Sequence, residues 1–304
     1  MGPRPDPYPT AMHVVHRTGG HPQRCVALET TLLLHGIPKT AAPALHAELV
    51  ELCAHAGATA VLAGIVAGVP VVGLNDAELG DLLAAWHVAK ANTSNLGVLM
   101  HRKSHAATTV SATMELAASA GVRVFATGGL GGVHKGFGDA WDVSADLNAF
   151  TRFPVAVVAS GVKSLLDVES TREMLESLGV PVVGFRTDAF PAFYRRNSAA
   201  AVDARFDDER ELAAYLEQEL TRTGRGVVVC NPVPPDHEID EQAWTGWLRE
   251  AEHRLKSSGV RGRAVTPAVL GALHEISDGA TLRTNLALVR DNTALAARIA
   301  AAWA

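Results

Sequence analysis

Short runs of β-branched and other apolar residues alternate along the chain with longer segments whose apolar residues recur at helical spacing. The continuous runs predict strands covered on both faces. These strands are Val26–Thr31, Thr59–Ile65, Val69–Leu74, Val122–Ala126, Val155–Ala159, Val180–Phe185 and Val227–Cys230. The predicted helices are Ala41–His55, Asp76–Ala89, Thr109–Ser119, Ser164–Leu178, Asp208–Thr221, Asp240–Ser257 and two more, from Thr266 and from near Leu282. The alternation predicts an α/β protein, a three-layer αβα fold with a mostly parallel or mixed central sheet in a single domain.

The N-terminal segment has three prolines within its first eight residues and no apolar run. It predicts a flexible tail over residues 1–24, ahead of an ordered domain over residues 25–304. Residues 57–74 form an uncharged stretch of 18 residues, long enough to raise the question of a membrane span. Its four glycines and Pro70 favour two buried strands joined by a turn at Ala67-Gly68 instead.

The net charge and the cysteines indicate which partners and which cellular compartment to expect. The formal net charge of −5 gives no basic footprint, so nucleic acid is not an expected partner. The three cysteines are far apart in sequence and contain no Cys-x-x-Cys pair, which is typical of reduced core residues. We therefore expect a cytoplasmic protein without a membrane partner.

The segment from Val124 to Leu147 contains more closely spaced candidate functional residues than any other part of the chain. Five glycines fall within nine residues and are followed by charged and hydroxyl side chains. Glycines allow close backbone approach and expose N–H groups, while carboxylates supply oxygen ligands, so the segment suits a phosphorylated substrate and a hard metal ion. The alternative is a glycine-rich surface loop followed by a capped turn. The glycine spacing fits neither a dinucleotide fingerprint, because position 134 is His, nor a Walker A loop.

Several long motifs in a fixed order resemble the pseudouridine-5′-phosphate glycosidase family, which is also called indigoidine synthase A-like. The motifs are ALETTLLLHGIP (27–38), ATTVSATM (107–114), VFATGGLGGVHKG (124–136), DVSADL (142–147), PVAVVASGVKSLLD (154–167), GVPVVGFRTDAFPAFY (179–194), TPAVL (266–270) and TNLALVRDN (284–292). The resemblance implies reversible cleavage of pseudouridine 5′-phosphate to ribose 5-phosphate and uracil. It also implies a divalent metal, usually Mn²⁺, a homotrimer, and a catalytic domain over residues 25–304.

Carried over position by position, the resemblance assigns roles to individual residues. Lys163 matches the covalent nucleophile, Glu29 the proton donor and Asp142 the metal ligand. The implied substrate contacts are Lys90, Val110, Ser144, Ala145 and Asp146, to which we add His134 and Asn285 by their places in the motifs and Thr127, Gly128 and Gly129 because they follow a predicted strand.

The chemistry of a C-nucleoside explains why a lysine is needed. Because carbon 5 of uracil is bonded directly to C1′, there is no oxygen leaving group to protonate, as there is in ordinary glycosidases. A lysine amine can form an imine-type adduct with ring-opened ribose 5-phosphate, while an acid delivers a proton to the departing carbon. We expect Lys163 at the start of a helix, where the helix dipole favours the neutral amine, and a buried Glu29 with a raised pKa. Without the resemblance, Lys163 fits a surface lysine at a helix N-terminus equally well. For Glu29 the commoner interpretation is a strand-end carboxylate that accepts a hydrogen bond.

The chain departs from the family pattern after Lys90. The resemblance implies a Ser-Arg-Arg-Asp segment there, and this chain has Ala91-Asn92-Thr93-Ser94-Asn95. This leaves a second hypothesis, a C-glycosyl synthase that joins ribose 5-phosphate to a different nucleobase-like or aromatic acceptor. A third hypothesis is a non-catalytic sugar-phosphate-binding protein.

Overall fold

The computed structural model describes residues 14–256 and 265–303. Within these ranges there are eleven strands and eleven α-helices. The strands are β1 (Val15–His16), β2 (Cys25–Glu29), β3 (Thr59–Val66), β4 (Val69–Val72), β5 (Ala89–Ala91), β6 (Ala106–Thr108), β7 (Val124–Ala126), β8 (Ala156–Ala159), β9 (Val182–Phe185), β10 (Ala204–Phe206) and β11 (Val227–Cys230). The helices are α1 (Ala42–His55), α2 (Asp76–Ala84), α3 (Leu96–His101), α4 (Val110–Ser119), α5 (Phe137–Ala140), α6 (Ala145–Phe150), α7 (Val168–Ser177), α8 (Glu209–Thr223), α9 (Glu241–Lys256), α10 (Val265–Ile276) and α11 (Ala280–Ala301).

One sheet runs through the molecule in the order β1-β4-β3-β2-β7-β8-β11-β9-β10. Strand β6 also pairs with β3, and β5 pairs with β6. Its pairs are parallel except for β3–β4 and β3–β6, which are antiparallel. Strands β2, β7, β8, β9 and β11 consist almost wholly of buried residues. Two hydrophobic cores cover the two faces, one with α1 and α11 and the other with α4 and α6. The predicted three-layer αβα fold with a single domain is confirmed.

The hairpin predicted over residues 57–74 is also present. Strands β3 and β4 pair antiparallel, and the turn between them places Ala67 at φ 49° and Gly68 at φ 82°. A side chain at residue 68 would meet the backbone of Met100 and Lys103 at 2.6 Å, so both the dihedral angle and the packing require glycine there. No helix in the described part of the chain is long and apolar enough to cross a membrane.

The N-terminal boundary was predicted too late. Residues 1–13 lie outside the described residues, but Val15–His16 already pairs with β4 and Pro22–Arg24 forms a 3-10 turn. Cys25 is buried, and its thiol donates to the carbonyls of Thr18 and His21. Residues 15–24 are therefore part of the ordered fold, because they close the sheet edge next to β4.

Two predicted helices have wrong boundaries, one near Lys90 and the other near Lys163. The helix predicted over Asp76–Ala89 ends at Ala84, since Ala85 is extended and residues 89–91 form β5. The helix predicted over Ser164–Leu178 begins only at Val168. Near the C-terminus, the predicted end of the helix over Asp240–Ser257 lies outside the described residues, while α10 and α11 start close to their predicted positions.

Candidate active site

The candidate site lies beyond the carboxyl ends of β2, β7 and β8, which are neighbours in the sheet. The glycine loop, residues 128–133, extends β7, and residues 160–163 extend β8 beside it. Leu130 donates its N–H to the carbonyl of Gly161 at 2.9 Å, and Lys163 donates its N–H to the carbonyl of Leu130 at 3.1 Å. This ladder brings the glycine loop and the Lys163 turn side by side, at the edge where α/β folds bind ligands.

Glu29 ends β2 and interacts with groups from four other elements. Its carboxylate accepts a short hydrogen bond from the hydroxyl of Thr127. Burial raises the pKa of Glu29, while the positive charges of Lys163 and Lys90 and the Thr127 hydrogen bond oppose the rise, and the charge of Asp146 adds to it. A carboxyl group with a raised pKa and a lysine beside it is the pairing expected of a general acid next to an amine.

Lys163 lies in a turn, and the prediction that it starts a helix was wrong. The turn continues the β8 ladder, and α7 begins four residues after Ser164, with Asp167 as its N-cap and the Asp167 carboxylate accepting from the N–H of Ser170 at 2.9 Å. Lys163 therefore lies before the first turn of α7, outside the short range over which a helix dipole acts. On β5, the pKa of Lys90 is lowered, first because the amine is desolvated and second because the charge of Lys163 acts on it.

A cavity of about 210 Å³ opens beside Lys163. Its walls bring together Lys163 and four of the ten predicted substrate contacts, Ser144, Ala145, Asp146 and His134, with residues that were not predicted as contacts. The lining residues are Asn92, Thr109, Gly131, His134, Ser144, Ala145, Asp146, Lys163, Leu165 and Leu166. Thr109 and Ser144 are the N-cap residues of α4 and α6, so two helix N-termini border the cavity. Exposed N–H groups at helix starts favour anions such as phosphate.

Asp146 is a buried carboxylate that joins three parts of this wall. It is 5% exposed, and its two oxygens accept the N–H groups of Ser111 in α4 and Gly131 in the glycine loop, each at 2.9 Å. A side chain at Gly131 would lie 2.3 Å from Ser144 Oγ and 2.7 Å from Asp146 Oδ2, so only glycine allows this approach. Through these two hydrogen bonds, Asp146 holds the start of α4 and the glycine loop together in the cavity wall.

Asp142 and His134 form a pair on the rim of the cavity, where His134 is one of the lining residues. The backbone N–H of His134 donates to the carbonyl of Asp142 at 3.0 Å, and His134 Nδ1 lies 3.8 Å from Asp142 Oδ2. The Asp142 side chain is 64% exposed. Among the described residues no group of three or more His, Cys, Asp or Glu side chains could enclose a metal. The pair fits a Mn²⁺ or Mg²⁺ ion that keeps most of its water, since such ions use few protein ligands.

The other predicted contacts Val110, Asn285, Gly128 and Gly129 are not among the residues that line this cavity. Val110 is the buried first residue of α4 and follows Thr109. Asn285, on α11, approaches Gly128, because a Cβ at residue 128 would lie 3.2 Å from Asn285 Oδ1. The Gly129 backbone lies under the ring of Phe193, which would be 2.4 Å from a Cβ there.

A buried amide behind the site was not predicted. Asn292 on α11 donates from Nδ2 to the carbonyl of Thr127 at 2.8 Å and to Ser160 Oγ at 3.1 Å. Asn231, after β11, donates to Asn292 Oδ1 at 3.0 Å. This network fixes the backbone that carries the Thr127 hydroxyl. Its only sequence signal was the position of Asn292 at the end of the TNLALVRDN motif.

The family model of the indigoidine synthase A-like proteins matches residues 15–302. The chain belongs to this family. Curated relatives named pseudouridine-5′-phosphate glycosidase include one from Symbiobacterium thermophilum, 43% identical over 91% of this chain and 92% of the relative. Another, from Salinispora tropica, is 44% identical over 92% of this chain and 87% of the relative.

Two solved structures have the same fold as this chain. An indigoidine synthase A-like protein from Thermotoga maritima superposes with a TM-score of 0.86 at 35% identity, covering 97% of this chain and 98% of the other. The prealnumycin C-glycosynthase AlnA, solved in complex with ribulose 5-phosphate, superposes with a TM-score of 0.86 at 30% identity, covering 95% and 96%. The chain is therefore similar both to a C-glycosynthase and to proteins named pseudouridine-5′-phosphate glycosidase.

Proposed function

We propose that this protein reversibly cleaves the C–C glycosidic bond of pseudouridine 5′-phosphate, giving ribose 5-phosphate and uracil. The observation that carries the proposal is the meeting of Lys163 and Glu29 at one sheet edge, where the lysine charge acts on a carboxyl group whose pKa burial raises. The names of the relatives that match more than 90% of the chain support the same activity.

The two groups divide the chemistry between sugar and base. The neutral Lys163 amine replaces the ring oxygen at C1′, and that oxygen takes a proton from the attacking nitrogen and leaves as the C4′ hydroxyl. The nitrogen lone pair then forms the imine double bond while the bond from C1′ to carbon 5 of uracil breaks, and carbon 5 takes the proton of Glu29. Water hydrolyses the imine, which releases ribose 5-phosphate and restores the amine.

The substrate phosphate is proposed to bind at the start of α4. Thr109 and Ser144 present hydroxyl groups to the cavity, and the first N–H groups of α4, at Val110 and beyond, begin at the same place. The N–H of Ser111 is already taken by Asp146. The phosphate contacts are therefore neutral hydroxyl and amide donors, and Lys163 stays available for the sugar.

We place the divalent metal, Mn²⁺ by resemblance, at Asp142 with His134 beside it. When bound, it would act as a Lewis acid that orients water and sugar hydroxyls. The rim position and the exposed Asp142 carboxylate leave room for several water ligands. The homotrimer and the cytoplasmic location stay predictions from the resemblance and the composition.

A second candidate function is synthesis of a C-glycoside from ribose 5-phosphate and another planar acceptor. It is favoured by Asn92, which lines the cavity where the resemblance implies an arginine. The Asn92 side-chain oxygen accepts from Ser94 N–H at 2.9 Å and from Asn95 N–H at 3.2 Å. This turn is neutral, so the acceptor side of the site differs in charge from the family pattern. The C-glycosynthase AlnA is a structural neighbour of this chain.

An acceptor screen separates the two functions. The purified protein is given pseudouridine 5′-phosphate for cleavage, and ribose 5-phosphate with uracil or other aromatic acceptors for synthesis, each with and without Mn²⁺. We expect uracil release that Lys163→Arg abolishes, whereas Lys103→Arg, at an exposed lysine, leaves turnover unchanged. Product with another acceptor and none with uracil would favour the second function, and no product with any acceptor would contradict both.

A further inference from the structure

Phe193 follows β9 in the segment Pro191–Tyr194 and has an unusual backbone conformation. Its φ is 62°, in the left-handed region that bulky residues rarely adopt, and its side chain is only 6% exposed. A bulky residue in this conformation persists only where the surrounding structure fixes it, and such residues cluster at functional sites. The contacts of Phe193 and its neighbours identify what fixes it.

The segment is bonded to the turn that carries Lys163. Phe193 donates its N–H to the carbonyl of Ser160 at 2.8 Å. The hydroxyl of Ser164, next to Lys163, donates to the carbonyl of Ala192 at 2.5 Å and accepts from the N–H of Tyr194 at 3.2 Å. The Lys163 turn is thus tied to the segment at both of its ends.

The same segment also supports the glycine loop. A Cβ at Gly129 would lie 2.4 Å from Phe193 Cδ2, and one at Gly128 would lie 3.3 Å from Phe193 Cε2. The ring therefore packs directly on the bare backbone that follows Thr127. Thr127 is the residue whose hydroxyl binds the Glu29 carboxylate.

Aromatic packing holds the Phe193 ring in place from behind. Its centroid lies 4.7 Å from that of Tyr194 in an edge-to-face arrangement, and Tyr194 lies 5.1 Å from Trp244 on α9. Edge-to-face pairs at these distances are favourable beyond the area that they bury. The ring cannot leave the glycine loop without disturbing this row of three aromatic side chains.

We propose that Phe193 is a positioning residue that holds the glycine loop and the Lys163 turn against each other, so that the Thr127 hydroxyl stays on the Glu29 carboxylate beside the amine. The inference rests on the proposed roles of Lys163 and Glu29 and adds a residue that is separate from these two reacting groups. It acts through the backbone of Gly128, Gly129 and Ser160.

The test measures the protonation of Glu29, because that quantity reports the loop position without requiring turnover. The groups that act on Glu29 are Lys163 after β8, Thr127 after β7, Asp146 in α6 and Lys90 on β5. Thr127 lowers the pKa through its hydrogen bond. If the loop moves away, this stabilisation of the carboxylate weakens and the protonated form persists to higher pH.

The experiment follows the infrared carbonyl band of the protonated carboxyl group against pH, assigned by its loss in Glu29→Gln. We expect Phe193→Leu and Thr127→Val each to move the midpoint to higher pH, and the double variant to move it no further than Thr127→Val alone. The control is Phe206→Leu, at a separate aromatic pair in which Phe206 stacks on Tyr215; it should leave the midpoint unchanged. If circular dichroism shows that Phe193→Leu is unfolded, Phe193→Met takes its place.

Turnover is measured in parallel on the same variants. In Phe193→Leu we expect kcat for cleavage to fall by up to about 10²-fold, as a small misplacement of reacting groups does, with little change in KM. An unchanged midpoint in Phe193→Leu, or shifts that add in the double variant, would overturn the inference. An inactive wild-type protein that still shows the midpoint shifts would instead overturn the proposed function alone.

Discussion

Replacing Asp146 by Asn tests whether this carboxylate fixes the cavity wall. The two oxygens accept one backbone N–H each, from Ser111 and Gly131, at 2.9 Å in a buried position. Hydrogen bonds to a charged group contribute about 1.5–3 kcal/mol each, and a buried donor without a partner costs about 1–3 kcal/mol. An Asn side chain has the same shape but keeps one acceptor only. Its NH₂ group would face a backbone N–H.

The expected loss in the free energy of unfolding is about 2–4 kcal/mol. It corresponds to one hydrogen bond to the charged carboxylate and part of the second. At roughly 2 °C per kcal/mol for a chain of this size, the melting temperature should fall by about 4–8 °C. The assay is thermal unfolding followed by circular dichroism, with cleavage measured on the same sample. Asp81→Asn, at an exposed position on α2, should stay within about 0.5 kcal/mol of wild type.

Activity should fall together with stability, because the N-terminus of α4 and the glycine loop would no longer be held together at the cavity. A variant with wild-type melting temperature and wild-type cleavage would show that the Asp146 carboxylate does not fix the cavity wall. It would mean that the Ser111 and Gly131 N–H groups find other partners at no cost. A loss of activity at unchanged melting temperature would assign Asp146 to substrate contact alone.

Two further predictions concern the acid and the metal. Glu29→Gln should slow cleavage while the sugar adduct on Lys163 accumulates, measured by mass spectrometry after reduction. Because the raised pKa makes the folded state hold its proton more tightly than the unfolded state, the stability that this gives is lost as pH rises through the folded-state pKa. The Gln variant should therefore gain melting temperature relative to wild type as pH rises through that range, and an equal difference at all pH values would contradict the shift. Asp142→Asn should raise the Mn²⁺ concentration needed for half-maximal activity by 10-fold or more, roughly the effect of losing a ligand interaction; an unchanged Mn²⁺ requirement would remove Asp142 from the metal site.

The strands were predictable because continuous β-branched runs such as Val227–Cys230 are covered on both faces of a parallel sheet. The positions of the candidate residues after β2, β7 and β8 were predictable from the strand pattern, and the rule that ligands bind at strand carboxyl ends made them candidates. The Lys163 turn did not, because its conformation depends on the ladder to Leu130, which is 33 residues away in sequence. Local helical spacing therefore favoured a helix that starts too early.

Other features have no local signal at all. Strand β5 is Ala-Lys-Ala, whose residues do not favour strands, and it forms only because β6 offers it a partner. The positive φ of Phe193 follows from its contacts with Ser160 and the glycine loop, which no sequence pattern shows. The different surroundings of Asp142 and Asp146 also have no sequence signal: the Asp142 side chain is exposed, whereas the Asp146 carboxylate is buried and accepts backbone hydrogen bonds.

The most direct test of the account is reductive trapping. The protein is incubated with ribose 5-phosphate and borohydride, digested, and its lysine peptides are measured by mass spectrometry. We predict that the mass of one reduced pentose phosphate appears on the peptide containing Lys163, and that Lys163→Arg abolishes it. Absence of any adduct in a protein that cleaves pseudouridine 5′-phosphate, or an adduct on Lys90 with none on Lys163, would contradict the covalent role of Lys163.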